Sequence, residues 1–225
     1  MRLSVIIPVL NEERAIAGAV DDAARVGPDE IIVVDGGSAD RTPDIVRDGP
    51  ARLACSARGR AVQMNEGAQR AQGDVLLFLH ADTTLPVTAR VDVEACMADA
   101  GCVGGRFDIR LDSTRPLLRV VGRMISLRSR LTRVATGDQA IFVRRTVFER
   151  LGGFPEIPIM EDVAFCRALK KEGRIACLRS RVLSSARRWE QNGPVRTILL
   201  MWALKLLFLA GVPPATLKRL YSEAR

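Results

Sequence analysis

Two short apolar runs in the first half of the chain end in residues that could bind a ligand. Residues 31–34 (Ile-Ile-Val-Val) precede Asp35, and residues 75–79 (Val-Leu-Leu-Phe-Leu) precede His80 and Asp82. Such runs are typical of strands that are buried on both faces of a parallel sheet. Open α/β sheets bind ligands at the carboxyl ends of their strands, so we expect both turns to contribute to one site.

The residue types in these turns narrow the chemistry. A carboxylate such as Asp35 is costly to bury without a partner, and the two glycines behind it allow a ligand to approach the backbone closely. Asp82 offers a hard oxygen ligand that suits Mg²⁺ or Mn²⁺. If His80, the only histidine, also binds the metal, its imidazole favours Mn²⁺.

Strand and helix signals alternate in a way that predicts an α/β doubly wound sheet. In the first half we predict strands at 3–9, 31–34, 52–56 and 75–79, and helices at 12–25, 41–47, 60–71 and 87–98. Beyond Gly101 we predict strands at 102–109 and 139–143, and helices at 117–131, from 145 onward and at 160–172. No linker or repeat interrupts the chain, so we predict a single domain over residues 1–225.

Composition limits the partners. The chain has 225 residues, 48% of them apolar, which is enough for one sizeable core. A net charge of +8 favours anionic partners such as nucleotides, phospholipid headgroups or nucleic acid. Nucleic acid is disfavoured, because aromatic residues make up only 4% and no nucleic-acid-binding motif is present.

The cysteines and the N-terminus indicate the compartment. The five cysteines match neither a zinc site nor a disulfide framework, which predicts free thiols in a reducing environment. The first apolar segment ends at Pro8 without a signal-peptide pattern. We therefore predict a cytoplasmic protein.

An ordered set of motifs across residues 3–172 resembles family 2 glycosyltransferases of the GT-A type. The motifs are residues 4–13, 32–40 and 59–68, the turn His80-Ala81-Asp82, and the pair Glu161-Asp162. Within that family the chain resembles a small subgroup with His-Ala-Asp in place of Asp-x-Asp, some of whose members are linked with radical-SAM gene neighbourhoods and arsenosugar formation. The resemblance implies a GT-A-like, Rossmann-related, mostly parallel sheet flanked by helices, with C-terminal helices.

The resemblance also implies the parts of a donor site. Residues 1–100 would form the nucleotide-binding half, residues 101–190 the acceptor and catalytic half, and residues 193–225 the C-terminal amphipathic helices. The donor is a nucleotide-diphospho sugar, with a UDP-sugar favoured. Its implied binding residues are Pro8, Asn11, Glu12, Asp35, Gly37, Arg60, Ala81, Asp82, Asp138, Arg188 and Trp189.

Metal binding and catalysis fall on the acidic motifs. By resemblance Asp82 binds Mn²⁺ or Mg²⁺, while His80, where most relatives have an acid, is a metal ligand, a hydrogen-bond partner of the nucleotide or a structural histidine. Asp162 is the implied base that deprotonates the acceptor hydroxyl, and Glu161 supports it. The chain departs from the family pattern at Gly36, where relatives commonly carry a second acid.

Simpler interpretations of several motifs stay open. Asn11 and Glu12 also suit a helix cap, and Glu161-Asp162 also suits the acidic first turn of a helix. Arg60 could be part of a solvated helix start. Each of these alternatives explains the residue type at its position without a bound ligand.

The C-terminal residues favour transfer of a single sugar over processive synthesis of a polymer. Residues 187–191 (Arg-Arg-Trp-Glu-Gln) resemble the Gln-x-x-Arg-Trp motif of processive members, but Ser185 stands where Gln is expected. The Leu-rich residues 197–212 are shorter than the roughly 20 residues that span a bilayer. They suit either core or homo-oligomer packing, or a helix lying on anionic lipid at the inner face of the membrane.

These patterns predict a metal-dependent inverting glycosyltransferase that moves a single sugar to a hydroxyl of a small molecule or lipid. One alternative is a non-catalytic, membrane-associated nucleotide-sugar-binding protein. A less favoured alternative is a sugar nucleotidyltransferase, whose glycine-rich loop should follow the first strand, where this chain has residues 8–13 without glycine.

Overall fold

The computed structural model describes residues 1–223, with side chains as far as Tyr221, and within this range eight strands form one sheet with helices on both faces. The strands are β1 (Leu3–Val9), β2 (Glu30–Asp35), β3 (Arg52–Cys55), β4 (Val75–Phe78), β5 (Thr83–Thr84), β6 (Cys102–Asp112), β7 (Ile141–Arg144) and β8 (Arg174–Ser185). The helices before the middle of the chain are α1 (Ile16–Arg25), α2 (Thr42–Arg47), α3 (Arg60–Arg70), α4 (Ala89–Met97) and α5 (Pro116–Thr132). A 3₁₀ helix (Gly137–Gln139) then precedes α6 (Arg145–Arg150), α7 (Glu161–Glu172), α8 (Arg187–Asn192), α9 (Pro194–Leu209) and α10 (Pro214–Glu223).

The strand order is β3-β2-β1-β4-β7-β6-β8-β5. The pairs among β3, β2, β1 and β4 are parallel, as is β6 with β8, whereas β7 runs antiparallel to both of its neighbours and β5 antiparallel to β8. Phe78, the last residue of β4, pairs with Ile141, the first of β7. The reversal at β7 therefore brings the loop before β7 to the edge where β1, β2 and β4 end.

Alternation along β1 divides the core into two layers. Leu3, Val5, Ile7 and Val9 pack with α1 and α4 on one face, whereas Ile6 packs with α3 and α7 on the other. This period of two is what a strand buried on both faces requires. Gly67 lies on α3 where a Cβ would stand 2.4 Å from Ile6 Cγ2, so glycine lets this helix contact the sheet.

Most predicted elements are present, with shifted ends. The first helix begins at Ile16 rather than at residue 12, because Asn11 has a left-handed φ of 55° and residues 13–15 form a turn. The third strand on the C-terminal side, β8, was not predicted. Its arginine- and serine-rich sequence lacks regular alternation, and its pairing with β6 contains two register shifts.

The C-terminal helices can be compared with the predicted segment 193–225, and the cysteines with the predicted free thiols. Helix α9 spans sixteen residues, and in residues 1–223 no helix has both the length and the apolarity to cross a bilayer. The predicted segment 193–225 forms α9 and α10 as far as Glu223, and its last two residues lie outside the described residues. All five cysteines are free; Cys102 and Cys166 are buried and Cys55 is exposed.

Candidate active site

The sheet edge where β1, β2 and β4 end gathers the acidic and basic residues of the motifs. The 3₁₀ helix before β7 and the start of α7 meet at this edge, because Gly137 N donates a hydrogen bond of 2.7 Å to Asp162 Oδ2. The backbone N–H of Val163 donates to Asp162 Oδ1 at 2.6 Å. These two bonds fix the Asp162 carboxylate at the rim of the site.

The surroundings of Asp162 favour its protonated form. Burial, and then the negative charge of Glu161, raise the pKa of Asp162 to about 6, against the lowering effects of the Gly137 N–H and Arg60. A carboxyl group with this pKa is ionised near neutral pH and still binds a proton appreciably, which suits a general base.

Glu161 and Arg60 form an ion pair between α7 and α3. Arg60 Nη1 lies 3.4 Å from Glu161 Oε1, and the Glu161 side chain is 5% exposed whereas that of Arg60 is 51% exposed. The structure thus joins a residue predicted to bind the donor with one predicted to support the base. The buried carboxylate of Glu161 has a cationic partner, as burial demands.

His80 lies directly against the 3₁₀ helix. A Cβ built on Gly137 would stand 2.6 Å from His80 Nε2, so only glycine fits there. Nε2 is buried and has no hydrogen-bond partner in the described chain. Burial, followed by the charges of Arg60 and Arg188, lowers the pKa of His80 well below its usual range, so the imidazole is neutral.

Asp82 is exposed at the mouth of the site. Its Oδ1 accepts a hydrogen bond of 3.3 Å from Thr83 Oγ1, and its carbonyl accepts one of 3.0 Å from Ser185 N at the end of β8. Glu12 faces it from the loop after β1: burial, and then the charge of Asp82, raise the pKa of Glu12. Two carboxylates therefore converge where β1 and β4 end.

The carboxylates of Asp82 and Glu12 fit a divalent cation whose remaining ligands come partly from the substrate. No group of three His, Cys, Asp or Glu side chains arranged as metal ligands occurs within residues 1–223. Mg²⁺ typically keeps several waters and binds one or two carboxylates together with substrate phosphates. The exposed Asp82 carboxylate, with Glu12 facing it, matches that pattern of hard oxygen ligands.

Asp138 lies in the same cleft. Its carboxylate accepts a 2.5 Å hydrogen bond from Thr136 Oγ1. Burial raises the pKa of Asp138, and the charges of Asp162 and Asp82 add to this effect. Three acids that lie far apart in the sequence thus act on one another electrostatically.

The motif residues of β1 and β2 form a hydrogen-bonded turn. Asp35, which is 4% exposed, accepts bonds from the backbone N–H groups of Gly37 and Ser38 and from Ser38 Oγ. Asn11 Oδ1 accepts from Ala39 N at 2.8 Å. The turn itself thus supplies the partners that the buried carboxylate of Asp35 requires.

The departure at Gly36 has a packing explanation. Gln63 on α3 donates from Nε2 to the carbonyls of Val9 and Val34, at 2.7 and 2.9 Å. A Cβ on Gly36 would lie 2.9 Å from the Gln63 amide carbon. Gln63 therefore fills the space that a side chain at position 36 would need. Pro8 lies beside it on β1, paired with Val34.

Pairing of β5 with β8 brings the Arg-Arg-Trp segment to the site. Thr83 pairs with Ser184, so α8 begins beside the turn that holds His80, Ala81 and Asp82. Arg188 is exposed, and its charge acts on His80. Trp189 is half-buried against the apolar core, so part of its ring is covered by the protein itself.

Two cationic residues near Asp162, Arg128 and Lys205, were not predicted from the sequence to belong to the site. Arg128 on α5 has buried Nε and Nη2 atoms without hydrogen-bond partners. Lys205 lies on α9, within the Leu-rich segment. Burial lowers the pKa of both groups, and the negative charge of Asp162 opposes the shift in both. No spacing in the sequence could have placed two separate helices at one carboxylate.

Relatives of known sequence carry glycosyltransferase names. The chain is 27% identical over 221 residues to "Probable glycosyltransferase YdaM" of Bacillus subtilis (strain 168), an alignment covering 85% of this chain and 51% of that protein. It is 37% identical over 91 residues, or 36% of each chain, to "PGL/p-HBAD biosynthesis glycosyltransferase" of Mycobacterium bovis (strain BCG / Pasteur 1173P2). The chain thus spans about half or less of the length of these relatives.

Solved structures share the fold. TarS of S. aureus in complex with UDP superposes with a TM-score of 0.67 at 20% identity, over 82% of this chain and 60% of that one. Glucosyl-3-phosphoglycerate synthase from Mycobacterium tuberculosis in complex with Mn²⁺, UDP and phosphoglyceric acid superposes with a TM-score of 0.62 at 18% identity, over 94% and 79% of the chains. The predicted GT-A-like α/β fold is confirmed by these matches.

The family follows from the sequence model that fits the chain. The model for glycosyl transferase family 2 matches residues 4–149, well over half of the 225 residues. This range includes β1, β2, β4 and the 3₁₀ helix of the site. The subgroup with His-Ala-Asp stays a prediction, whereas the wider assignment is established: the chain belongs to glycosyl transferase family 2.

Proposed function

We propose that this chain transfers a single sugar, with inversion, from a nucleotide-diphospho sugar to a hydroxyl group of a small molecule or lipid. The observation that carries the proposal is the Asp162 carboxyl, with a pKa of about 6, in one cleft with neutral His80 and exposed Asp82. A base and a metal-binding carboxylate are the two chemical groups that such a transfer needs.

In this proposal Asp162 removes the proton from the acceptor hydroxyl as that oxygen attacks the anomeric carbon. The nucleoside diphosphate leaves from the opposite face of the sugar, so the anomeric configuration inverts. Gly137 N–H and Val163 N–H hold the Asp162 carboxylate toward the acceptor. Glu161 keeps Arg60 close to this base through the ion pair between α7 and α3.

Asp82 is the proposed ligand of Mn²⁺ or Mg²⁺, with Glu12 facing it. The cation would neutralise charge that develops on the departing diphosphate. Neutral His80 offers its unpaired Nε2 either to the cation or to the donor. Arg188, exposed at the same mouth, offers a guanidinium to the diphosphate, for which its planar fork is well suited.

The donor is proposed to be a UDP-sugar bound along the ends of β1, β2 and β4. The TarS structures contain UDP-GlcNAc or UDP, and the synthase structures contain Mn²⁺ with UDP. In the division we propose, residues 1–100 bind the nucleotide and residues 101–190 the acceptor. The turn formed by Asn11, Asp35 and Gly37 would then contact the base or ribose.

The exposed apolar side of α9 supports a further part of the proposal, peripheral contact with an anionic membrane at its cytoplasmic face. Five exposed residues repeat every three or four positions and so lie on one side of the helix: Val195, Leu199, Trp202, Leu206 and Leu209. The net charge of +8 would favour anionic lipid over neutral lipid. Homo-oligomer packing through the same stripe is the alternative.

The test is calorimetric binding of UDP-, GDP- and dTDP-sugars with and without Mn²⁺, followed by transfer or slow donor hydrolysis. We expect one donor to bind with metal, Asp82→Asn to weaken that binding tenfold or more, and Asp162→Asn to keep binding but lose turnover. The matched control is Asp21→Asn on the exposed face of α1.

Each failure has its own meaning. If no donor binds under any condition, the proposal is wrong. If a donor binds but Asp162→Asn leaves turnover unchanged, Asp162 is not the base. If the wild type binds donor and never turns it over with any acceptor, the non-catalytic nucleotide-sugar-binding alternative replaces the proposal.

A further inference from the structure

Buried polar atoms without partners concentrate around Asp162. In the described chain, five buried side-chain N or O atoms lack a hydrogen-bond partner, and three of them belong to His80 and Arg128. Leaving such a group unsatisfied typically costs about 1–3 kcal/mol, more for a charged one. Unpaired donors of this kind next to a base are explained if a ligand supplies their acceptors.

Arg128 differs from its neighbours on and near α5. Arg106 and Arg130 both form ion pairs with the carboxylate of Asp108. Arg128 has no ion pair with any acid of residues 1–223. The next residue, Ser129, ties this part of α5 to the 3₁₀ helix, because its Oγ accepts a 3.0 Å hydrogen bond from Gln139 Nε2.

That anchor places the Arg128 guanidinium at the cleft. Asp138 adjoins Gln139, and the charges of Asp138 and then Asp162 are those that most strongly oppose the effect of burial on Arg128. Neither acid forms a hydrogen bond with the guanidinium Nε or Nη2. The two acids are thus close enough to act on Arg128 electrostatically, but they do not satisfy its donors.

Lys205 approaches the same place from α9. The preceding residue, Leu204, is buried in the apolar cluster that also contains Phe165 and Cys166 of α7, so α9 packs on the same face of the sheet as that helix. Burial and the adjacent charge of Arg128 lower the pKa of Lys205 to about 8. The negative charge of Asp162 opposes this shift. Two cations from different helices thus repel each other beside one carboxylate.

We infer that Arg128 and Lys205 form an anion-binding subsite for the acceptor, which therefore carries a phosphate or carboxylate group close to the hydroxyl that Asp162 deprotonates. This inference rests on the proposed function and names its acceptor class. A guanidinium fork and an ammonium group together match the oxygens of a phosphate or carboxylate. An anion there would satisfy the Arg128 donors and relieve the repulsion between the two cations.

The location separates this subsite from the donor diphosphate. Asp82 and Arg188, the groups proposed for the diphosphate, lie at the ends of β4 and β8. Arg128 and Lys205 instead lie near Cys166, one turn beyond Asp162 on α7. They therefore flank the base on the side of α7, α5 and α9.

The experiment titrates the full chain, already saturated with UDP and Mg²⁺, with inorganic phosphate and separately with acetate. We expect one or both anions to bind, and Arg128→Gln and Lys205→Met each to weaken binding tenfold or more. Arg128→Lys, which keeps the charge and loses the fork, should fall in between. Arg123→Gln on α5 and Lys170→Gln on α7 are exposed controls that should bind like the wild type.

UDP affinity, measured in the same samples, distinguishes failure of the subsite from failure of the proposed function and reports whether each variant is folded. If UDP itself does not bind the wild type, the proposed function fails. If UDP binds but neither anion does, or the anions bind all variants equally, the subsite is refuted. It is also refuted if both substitutions weaken UDP binding as strongly as anion binding, because the cations would then serve the donor.

Discussion

Replacing Asp162 with Asn should change how the stability of the fold depends on pH. The pKa of Asp162 is raised to about 6 from an ordinary value of 3.8, so the folded chain holds this proton more tightly than the unfolded chain. The resulting stabilisation is complete below the unfolded pKa and is lost as the pH rises through 6. Asn carries no titrating proton, so the variant lacks this pH-dependent contribution.

The magnitude follows from the size of the shift. One pKa unit corresponds to about 1.36 kcal/mol, so a shift of roughly two units corresponds to up to about 3 kcal/mol. For a chain of this length 1 kcal/mol changes Tm by ~2–4 °C. Relative to the wild type, the Tm of Asp162→Asn should therefore increase by several degrees between about pH 4 and pH 7. Asn has one acceptor oxygen and can accept from only one of the Gly137 and Val163 N–H groups, a loss that does not titrate and shifts the difference by a constant amount only.

The assay is thermal unfolding of both proteins, followed by calorimetry at half-unit pH steps from 4 to 7.5. Asp21→Asn, on the exposed face of α1, controls for the loss of one carboxylate. A difference in Tm between Asp162→Asn and the wild type that stays constant over this range would refute the raised pKa. It would also remove the main support for Asp162 as a base adapted to neutral pH.

Two other substitutions test contacts at the site and on the surface. Gly137→Ala should cost about 1–3 kcal/mol, because the new Cβ would stand 2.6 Å from His80 Nε2, and the cost should largely disappear in a His80→Ala background. Denaturant unfolding of the four proteins measures this, and an equal cost in both backgrounds would contradict the contact. Trp202→Ser, at a side chain 60% exposed on α9, should lower binding to phosphatidylglycerol vesicles roughly tenfold in a sedimentation assay, whereas Val87→Ser, 84% exposed elsewhere, should not. No wild-type binding to such vesicles would remove the membrane proposal.

Local patterns were sufficient to predict the half of the fold that is parallel. The apolar runs before Asp35 and His80 predicted β2 and β4 because both faces of those strands are buried. β5 and β8 were missed, since one has two residues and the other lacks regular alternation.

The composition of the site was largely predictable from the sequence, while its internal contacts were not. Residue types and strand ends pointed to His80 and Asp82, because acidic turns after buried strands are typical of ligand sites. Asp162, at the start of α7, was proposed only through the family resemblance. The partners of Asp35 are the backbone and hydroxyl of its own turn, and residue types alone did not show that this turn closes on the carboxylate.

The sequence by itself determined the family, the strands that end in the site and the acids that could act there, because these depend on residue type and on short spacings. Only the tertiary structure decided that Gly137 holds Asp162, that Gln63 fills the space at Gly36, and that Arg128 and Lys205 lie near Asp162. These contacts join residues from different elements, and their energies depend on burial and on distances that arise only when the helices pack on the sheet.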